Sequence, residues 1–311
     1  MFQTPILLLI FNRPDTTLEV LKAIRAIKPA KLFIVADGPR NNKPGDLILC
    51  EKTRQVALQA VDWECELITD FRKQNLGCGV GVYTGITWFF NQVDKGIILE
   101  DDCLPDLTFF KFCEELLNHY ESNDKVMHIS GNNFQFGKLR GTASYYFSKY
   151  THNWGWATWK RAWSKFQFKI DDLSISINNR LFEDMLLSGE EIKYWKNTFE
   201  ELEDGKADVW DGQWLYSVWK HKGVSILPNK NLVKNIGFNQ NATHTFSLDS
   251  ILSNIKTKPI NKIIHNDKIA INQEADQYSF ERTVLYKLNF LGKVKSKIKF
   301  TLQQIKNKSI N

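Results

Sequence analysis

The sequence has no CxxC pair, and its five cysteines (Cys50, Cys65, Cys78, Cys103, Cys113) form an odd, scattered set. That spacing argues against a zinc site or a disulfide framework and fits a reducing compartment. No basic N-terminal region leads into a long apolar run. Pro5 to Phe11 is too short for a signal core or a membrane span, and Asn12-Arg13-Pro14 ends it. A cytoplasmic protein is expected. There is no internal repeat, no GxGxxG and no GxxxxGK[ST], so the common glycine-rich phosphate cradles are missing. Net charge is only +6, and much of the excess lies near the end, at Lys287, Lys293, Lys295, Lys297, Lys299, Lys306 and Lys308.

What is present is a chain of 311 residues, 43% hydrophobic and 13% aromatic, enough to bury a large core in one extended α/β domain or two closely fused ones. Strand and helix patterns alternate through the first 133 residues. Buried strands are expected at Pro5 to Phe11, Lys31 to Ala36, Glu64 to Thr69, Ile97 to Leu99 (after a Lys95-Gly96 turn) and Val126 to Ser130, with helices between them. Such alternation argues for a parallel, doubly wound sheet. After Asn133 short strands mix with helices, and beyond His244 hydrophobic density falls while lysine and asparagine rise. Most of the ten tryptophans lie between Trp154 and Trp219, where they could be core or a sugar-stacking surface.

The chemistry concentrates where Ile97-Ile98-Leu99 runs into Glu100-Asp101-Asp102. Carboxylates at the C-terminal end of a buried strand sit where open α/β sheets bind ligands. Adjacent like charges resist burial, so a cation is expected to neutralise them, and a hard divalent ion suits them. Asp106 reads instead as the cap of the following helix. Asn12-Arg13 and Asp37 end other strands and converge on the same sheet edge. Asp37 can accept from a base N–H, and Arg13 or Arg72 can face a diphosphate. Gly77-Cys78-Gly79-Val80-Gly81 opens a helix that could meet phosphate or could serve close packing. Asp211, in Trp210-Asp211-Gly212-Gln213-Trp214, is either a general base held in apolar surroundings or a helix cap, with Asp208 the next candidate. His244 becomes a plausible ligand if a metal is near.

In this order, Pro5-to-Arg13, Asp37, the glycine-rich helix, Glu100-Asp101-Asp102, Pro105-Asp106, Phe109-Phe110, a Gly-Trp pair, Trp210-Asp211 and a late histidine resemble the GT-A glycosyltransferases. The likeness is to N-acetylglucosaminyltransferase I and to bacterial family 2-like enzymes, over about residues 5 to 245. The resemblance implies an α/β, doubly wound, mainly parallel sheet of the nucleotide-diphospho-sugar transferase kind, with a Trp-rich α+β acceptor half. Residues 1–133 would be the nucleotide-sugar half, 134–245 the acceptor and catalytic half of the same domain, and 246–311 a basic tail. It implies an inverting enzyme using Mn²⁺ or Mg²⁺. Asp102 and His244 would bind the metal, and Asp211 would deprotonate the acceptor. Phe11, Asn12, Arg13, Asp37, Asn75, Gly77, Glu100 and Asp101 would line the donor, expected to be a UDP-sugar. The acceptor would be a saccharide or a lipid-linked sugar in bacterial surface-glycan synthesis, with no nucleic acid involved. By its composition the basic tail could touch the inner face of a membrane, or it could be a solvated helix packed on the domain. A sugar nucleotidyltransferase is the alternative, though Phe11-Asn12-Arg13-Pro14 lacks the glycines that reaction wants. A non-catalytic carbohydrate-binding or toxin-like protein is a third, opposed by two separate acidic sites.

Overall fold

The structure is a computed structural model that describes residues 1–238 and 252–285. In chain order it runs β1 (Ile6–Ile10), α1 (Pro14–Ile27), β2 (Lys31–Ala36), α2 (Asp46–Ala60), β3 (Glu66–Phe71), α3 (Gly77–Phe90) and β4 (Lys95–Glu100). There follow β5 (Cys103–Pro105), α4 (Leu107–His119), β6 (Val126–Ser130), β7 (Tyr145–Ser148) and β8 (Trp156–Trp159). The helices α5 (Lys160–Trp163), α6 (Leu173–Asn178), α7 (Leu181–Asp184), α8 (Gly189–Glu203) and α9 (Asp211–Lys220) come next. Strands β9 (Val224–Pro228) and β10 (Val233–Asn235) lead to α10 (Gln273–Phe280).

Eight strands form one sheet in the order β3-β2-β1-β4-β8-β6-β9-β7. β3, β2, β1 and β4 are parallel, and β6 pairs in parallel with β9. β8 and β7 are antiparallel to their neighbours. The expected α/β, doubly wound and mainly parallel sheet is therefore present. β1 illustrates why it forms. All five of its residues are buried, as an interior parallel strand requires. Its alternate residues feed two cores: Ile6, Leu8 and Ile10 pack with α1 and α4, while Leu7 and Leu9 pack with α3, α5 and α9.

The Trp-rich run, which the sequence leaves between short strands and helices, itself supplies a strand of the sheet. β8 enters as an extra strand between β4 and β6. Trp156 and Trp159 on it are fully buried, as are Trp214 and Trp219 on α9. These rings are core, not a sugar platform. Residues 252–285 fold back on the sheet edge, where the Asn272 N–H donates to the Phe147 carbonyl at 2.8 Å. Among the described residues no helix is long and apolar enough to cross a membrane.

The topology places a switch point between β1, which leads outward to β2 and β3, and β4 on its other side. Ligands of open α/β sheets bind at the strand C-termini there. A second, two-stranded sheet, β5 with β10, leads the chain back over that point.

Candidate functional site

β1 and β4 run in register, with Leu9 opposite Glu100, so the residues after each strand emerge side by side. Arg13 follows β1, and Pro14 opens α1 at the position where a missing N–H costs nothing. The Arg13 guanidinium Nη1 lies 2.8 Å from Asp102 Oδ2 and 3.3 Å from Asp101 Oδ1. The Phe11 N–H donates to the other Asp101 oxygen at 3.2 Å. Burial works against the Arg13 charge, but Asp101 and Asp102 outweigh it, and its pKa rises. Burial raises the Glu100 pKa, and the neighbouring Asp102, Asp101 and Asp211 raise it further. Asp101 is raised by burial as well, opposed by Arg13.

Asp211 therefore lies near enough for Glu100 to feel its charge, although the two are 111 residues apart in sequence. Asp211 is exposed, and it is the first residue of α9, not its cap, a position held by Trp210. Its Oδ1 accepts the N–H of Gly212 at 3.0 Å. Cys78, on the first turn of α3, feels the same acids. Burial raises the pKa of its thiol, and so do Glu100, Asp211 and Asp208. The first turn of α3 is thus within electrostatic reach of the acidic site.

That turn explains Asp37. Its carboxylate accepts N–H bonds from Leu76 at 3.0 Å, Gly77 at 3.2 Å and Gly38 at 2.9 Å, and the Asn75 side-chain amide at 2.9 Å. Burial nevertheless raises its pKa. Asp37, Asn75 and Gly77 are thus one hydrogen-bonded unit that fixes the turn before α3. Asn12 is committed to Asp46 at 2.9 Å, and Arg40 is paired with the same carboxylate and stands over the Phe11 ring at 5.2 Å. An open cleft of about 560 Å³ lies at the end of β3, lined by Asp70, Arg72, Lys73, Gln74, Leu76 and Thr84.

Sequence reasoning missed Arg40, Asp46 and the contact of Asp208 with α3. The Cys78 and Gly79 N–H groups donate to Asp208 at 3.0 and 2.7 Å. These partners lie 130 and 129 residues apart, and no local pattern reveals them. The Asp106 cap is seen as expected, accepting from the Thr108 N–H at 2.9 Å.

The donor set suits a hard divalent ion. Asp102 Oδ2 holds Arg13, while Oδ1 has a weak contact of 3.6 Å from the Cys103 thiol. Among the described residues no group of three or more His, Cys, Asp or Glu is arranged to hold a metal. Ile236 and Gly237 lie against Asp102. The Ile236 N–H donates to the Asp102 carbonyl at 2.8 Å, and a Cβ on Gly237 would meet Asp102 Oδ2 at 2.3 Å. His244 lies outside the described residues.

No family model matches this chain, and no curated protein matches it. Some solved structures are distantly similar. A 4-diphosphocytidyl-2C-methyl-D-erythritol synthase from Anaerococcus prevotii aligns with TM-score 0.32 and 9% identity, over 52% of this chain and 74% of that one. HddC from Yersinia pseudotuberculosis aligns with TM-score 0.31 and 10% identity, over 51% and 77%. The glycosyltransferase GlyE of Streptococcus pneumoniae aligns with TM-score 0.34 and 11% identity, over 72% of this chain and 45% of that one.

Proposed function

We propose that this chain is a metal-dependent glycosyltransferase that moves a sugar from a nucleoside-diphosphate sugar, a UDP-sugar by preference, to a hydroxyl acceptor with inversion. The observation that carries the reading is the convergence of Glu100, Asp101 and Asp102 with Arg13 at a sheet switch point, with Asp211 in electrostatic reach. Asp102 would hold Mn²⁺ or Mg²⁺, with His244 a further candidate. When bound, the ion would neutralise the leaving diphosphate. Arg13 orients the carboxylates and supplies positive charge at the strand ends. Phe11, Asn12, Asp37, Asn75 and Gly77 line the edge on the nucleotide side, Asn12, Asp37 and Asn75 acting by holding the loops rigid. Asp211 accepts the acceptor hydroxyl proton as that oxygen attacks the anomeric carbon from the face opposite the diphosphate.

The acceptor would be a saccharide or a lipid-linked sugar of a bacterial surface glycan. From Tyr286 onward the sequence carries seven lysines and no acid, a composition suited to an anionic membrane surface. The test is a panel of UDP- and GDP-sugars with Mn²⁺, scored for hydrolysis and thermal stabilisation. Hydrolysis or stabilisation by a UDP-sugar only with the metal supports the proposal. A panel that neither reacts nor stabilises overturns it, and release of diphosphate from a nucleoside triphosphate and a sugar phosphate would favour a nucleotidyltransferase.

A further inference from the structure

We infer that Asp208 is a positioning residue that sets where Asp211 stands, acting through the first turn of α3; its catalytic consequence rests on the proposed glycosyl transfer. A helix leaves its first N–H groups without internal partners. In α3 the cap residue, Leu76, offers no side-chain acceptor. Two distant carboxylates take over. Asp37 accepts from Leu76 and Gly77, and Asp208 accepts from Cys78 and Gly79. With four donors satisfied by two acids, this glycine-rich turn is a seat for side chains of the fold.

The glycines are shaped to that seat. Gly77 has φ of 81°, and a Cβ there would stand 2.5 Å from Asp208 Oδ2. A Cβ on Gly79 would stand 2.8 Å from the Val209 carbonyl and 2.9 Å from Asp208 Oδ1. A side chain at Gly79 would meet the Val209 backbone and move the 208–209 segment, and one at Gly77 would displace the Asp208 carboxylate.

Only Val209 and Trp210 separate Asp208 from Asp211. Val209 is tied to α9 by the Gln213 side chain at 2.9 Å. Trp210 is buried and stacks on Trp156 of β8, with centroids 5.5 Å apart and planes at 20°. Asp211 thus rides on a short segment anchored at Trp210 against the sheet and at Asp208 against α3. Both Asp208 oxygens accept from main-chain donors, so this carboxylate is committed to holding the turn. Without the Asp208 anchor the segment pivots on Trp210, and Asp211 moves relative to Glu100. Small displacements of a reacting group cost up to about 100-fold in rate.

The experiment compares Asp208→Ala, Asp208→Asn, Gly79→Ala and the Ala/Ala double variant, using UDP-glucose or whichever panel sugar the wild type turns over with Mn²⁺. The expected result is kcat lower by about 10- to 100-fold in Asp208→Ala and Gly79→Ala, with UDP affinity held. The double variant should be no worse than the poorer single one, because both break one contact. Asp208→Asn should recover most of the rate, since its amide oxygen still accepts from one N–H. The acid limb of its pH–rate profile should stay in place. In parallel, Cys78 and Gly79 amide exchange should quicken in Asp208→Ala, and the Asp211 carboxyl carbon resonance should shift in both single alanine variants. An unmoved Asp211 resonance in both overturns the inference. Loss of the acid limb in Asp208→Asn also overturns it and makes Asp208 the base. If the wild type turns over no sugar nucleotide, the glycosyl-transfer reading fails while the Asp211 resonance still decides the positioning.

Discussion

The Arg13 guanidinium is 2.8 Å from the Asp102 carboxylate. It brings the end of β1 onto the end of β4 and sets a fixed cation against a group of acids that burial and mutual repulsion make costly. Replacing it exposes that cost. Arg13→Met should lower stability by about 2–3 kcal/mol, somewhat less than the roughly 3–5 kcal/mol for breaking a fully buried pair, because Arg13 is partly solvated. Millimolar Mg²⁺ or Mn²⁺ should restore more stability to the variant than it adds to the wild type. Chemical denaturation with and without the ion checks this, and equal increments in the two proteins contradict it.

Asp211 carries the mechanistic burden. Asp211→Asn preserves shape but accepts no proton, so turnover should fall by about 10²- to 10⁴-fold with donor affinity unchanged. Trp210, not Asp211, holds the cap position of α9, so little stability should be lost. A first-turn acid contributes only about 0.3–1 kcal/mol. A near-wild-type kcat would remove Asp211 from the mechanism.

Trp156 tests whether the tryptophans are core or a sugar surface. It is 1% exposed and packs against Trp210, Trp214 and Trp163. Trp156→Ala should cost about 3–5 kcal/mol, as large core truncations do. A stability loss below about 1 kcal/mol would mean that the ring faces solvent.

Acid sensitivity should report on His128. The Trp214 indole N–H can only donate, so His128 Nδ1 accepts it at 3.2 Å, and Nε2–H donates to the His152 carbonyl at 3.0 Å. Burial holds the imidazole neutral, with its pKa pushed down to about 3. A histidine depressed in the folded state stabilises fully above its unfolded pKa of about 6.5 and loses that contribution as pH falls toward its folded value. The stability gap between wild type and His128→Gln should therefore narrow by about 2 kcal/mol from pH 7.5 to pH 5. A gap independent of pH contradicts the neutral, buried assignment.

Much of the fold was legible because hydrophobic runs of five or six residues, separated by helical patterns, dictate a parallel sheet. Ile97-Ile98-Leu99 running into three acids likewise placed those acids at the edge where they lie. β8 was not legible. It is four residues long, and its strand character comes from β4 and β6 on either side. Its rings fill both cores, Trp156 one and Trp159 the other, which composition alone does not separate from a sugar platform. The glycines at 77 and 79 hinted at phosphate or close packing. Only the chain's return 130 residues later supplies the carboxylate they accommodate.

The most direct test is a calorimetric titration of UDP into wild type and Asp102→Ala, each with and without Mn²⁺. The account predicts binding by the wild type that requires the metal, and its loss in a folded Asp102→Ala. Metal-independent binding, or undiminished binding by the variant, would contradict it.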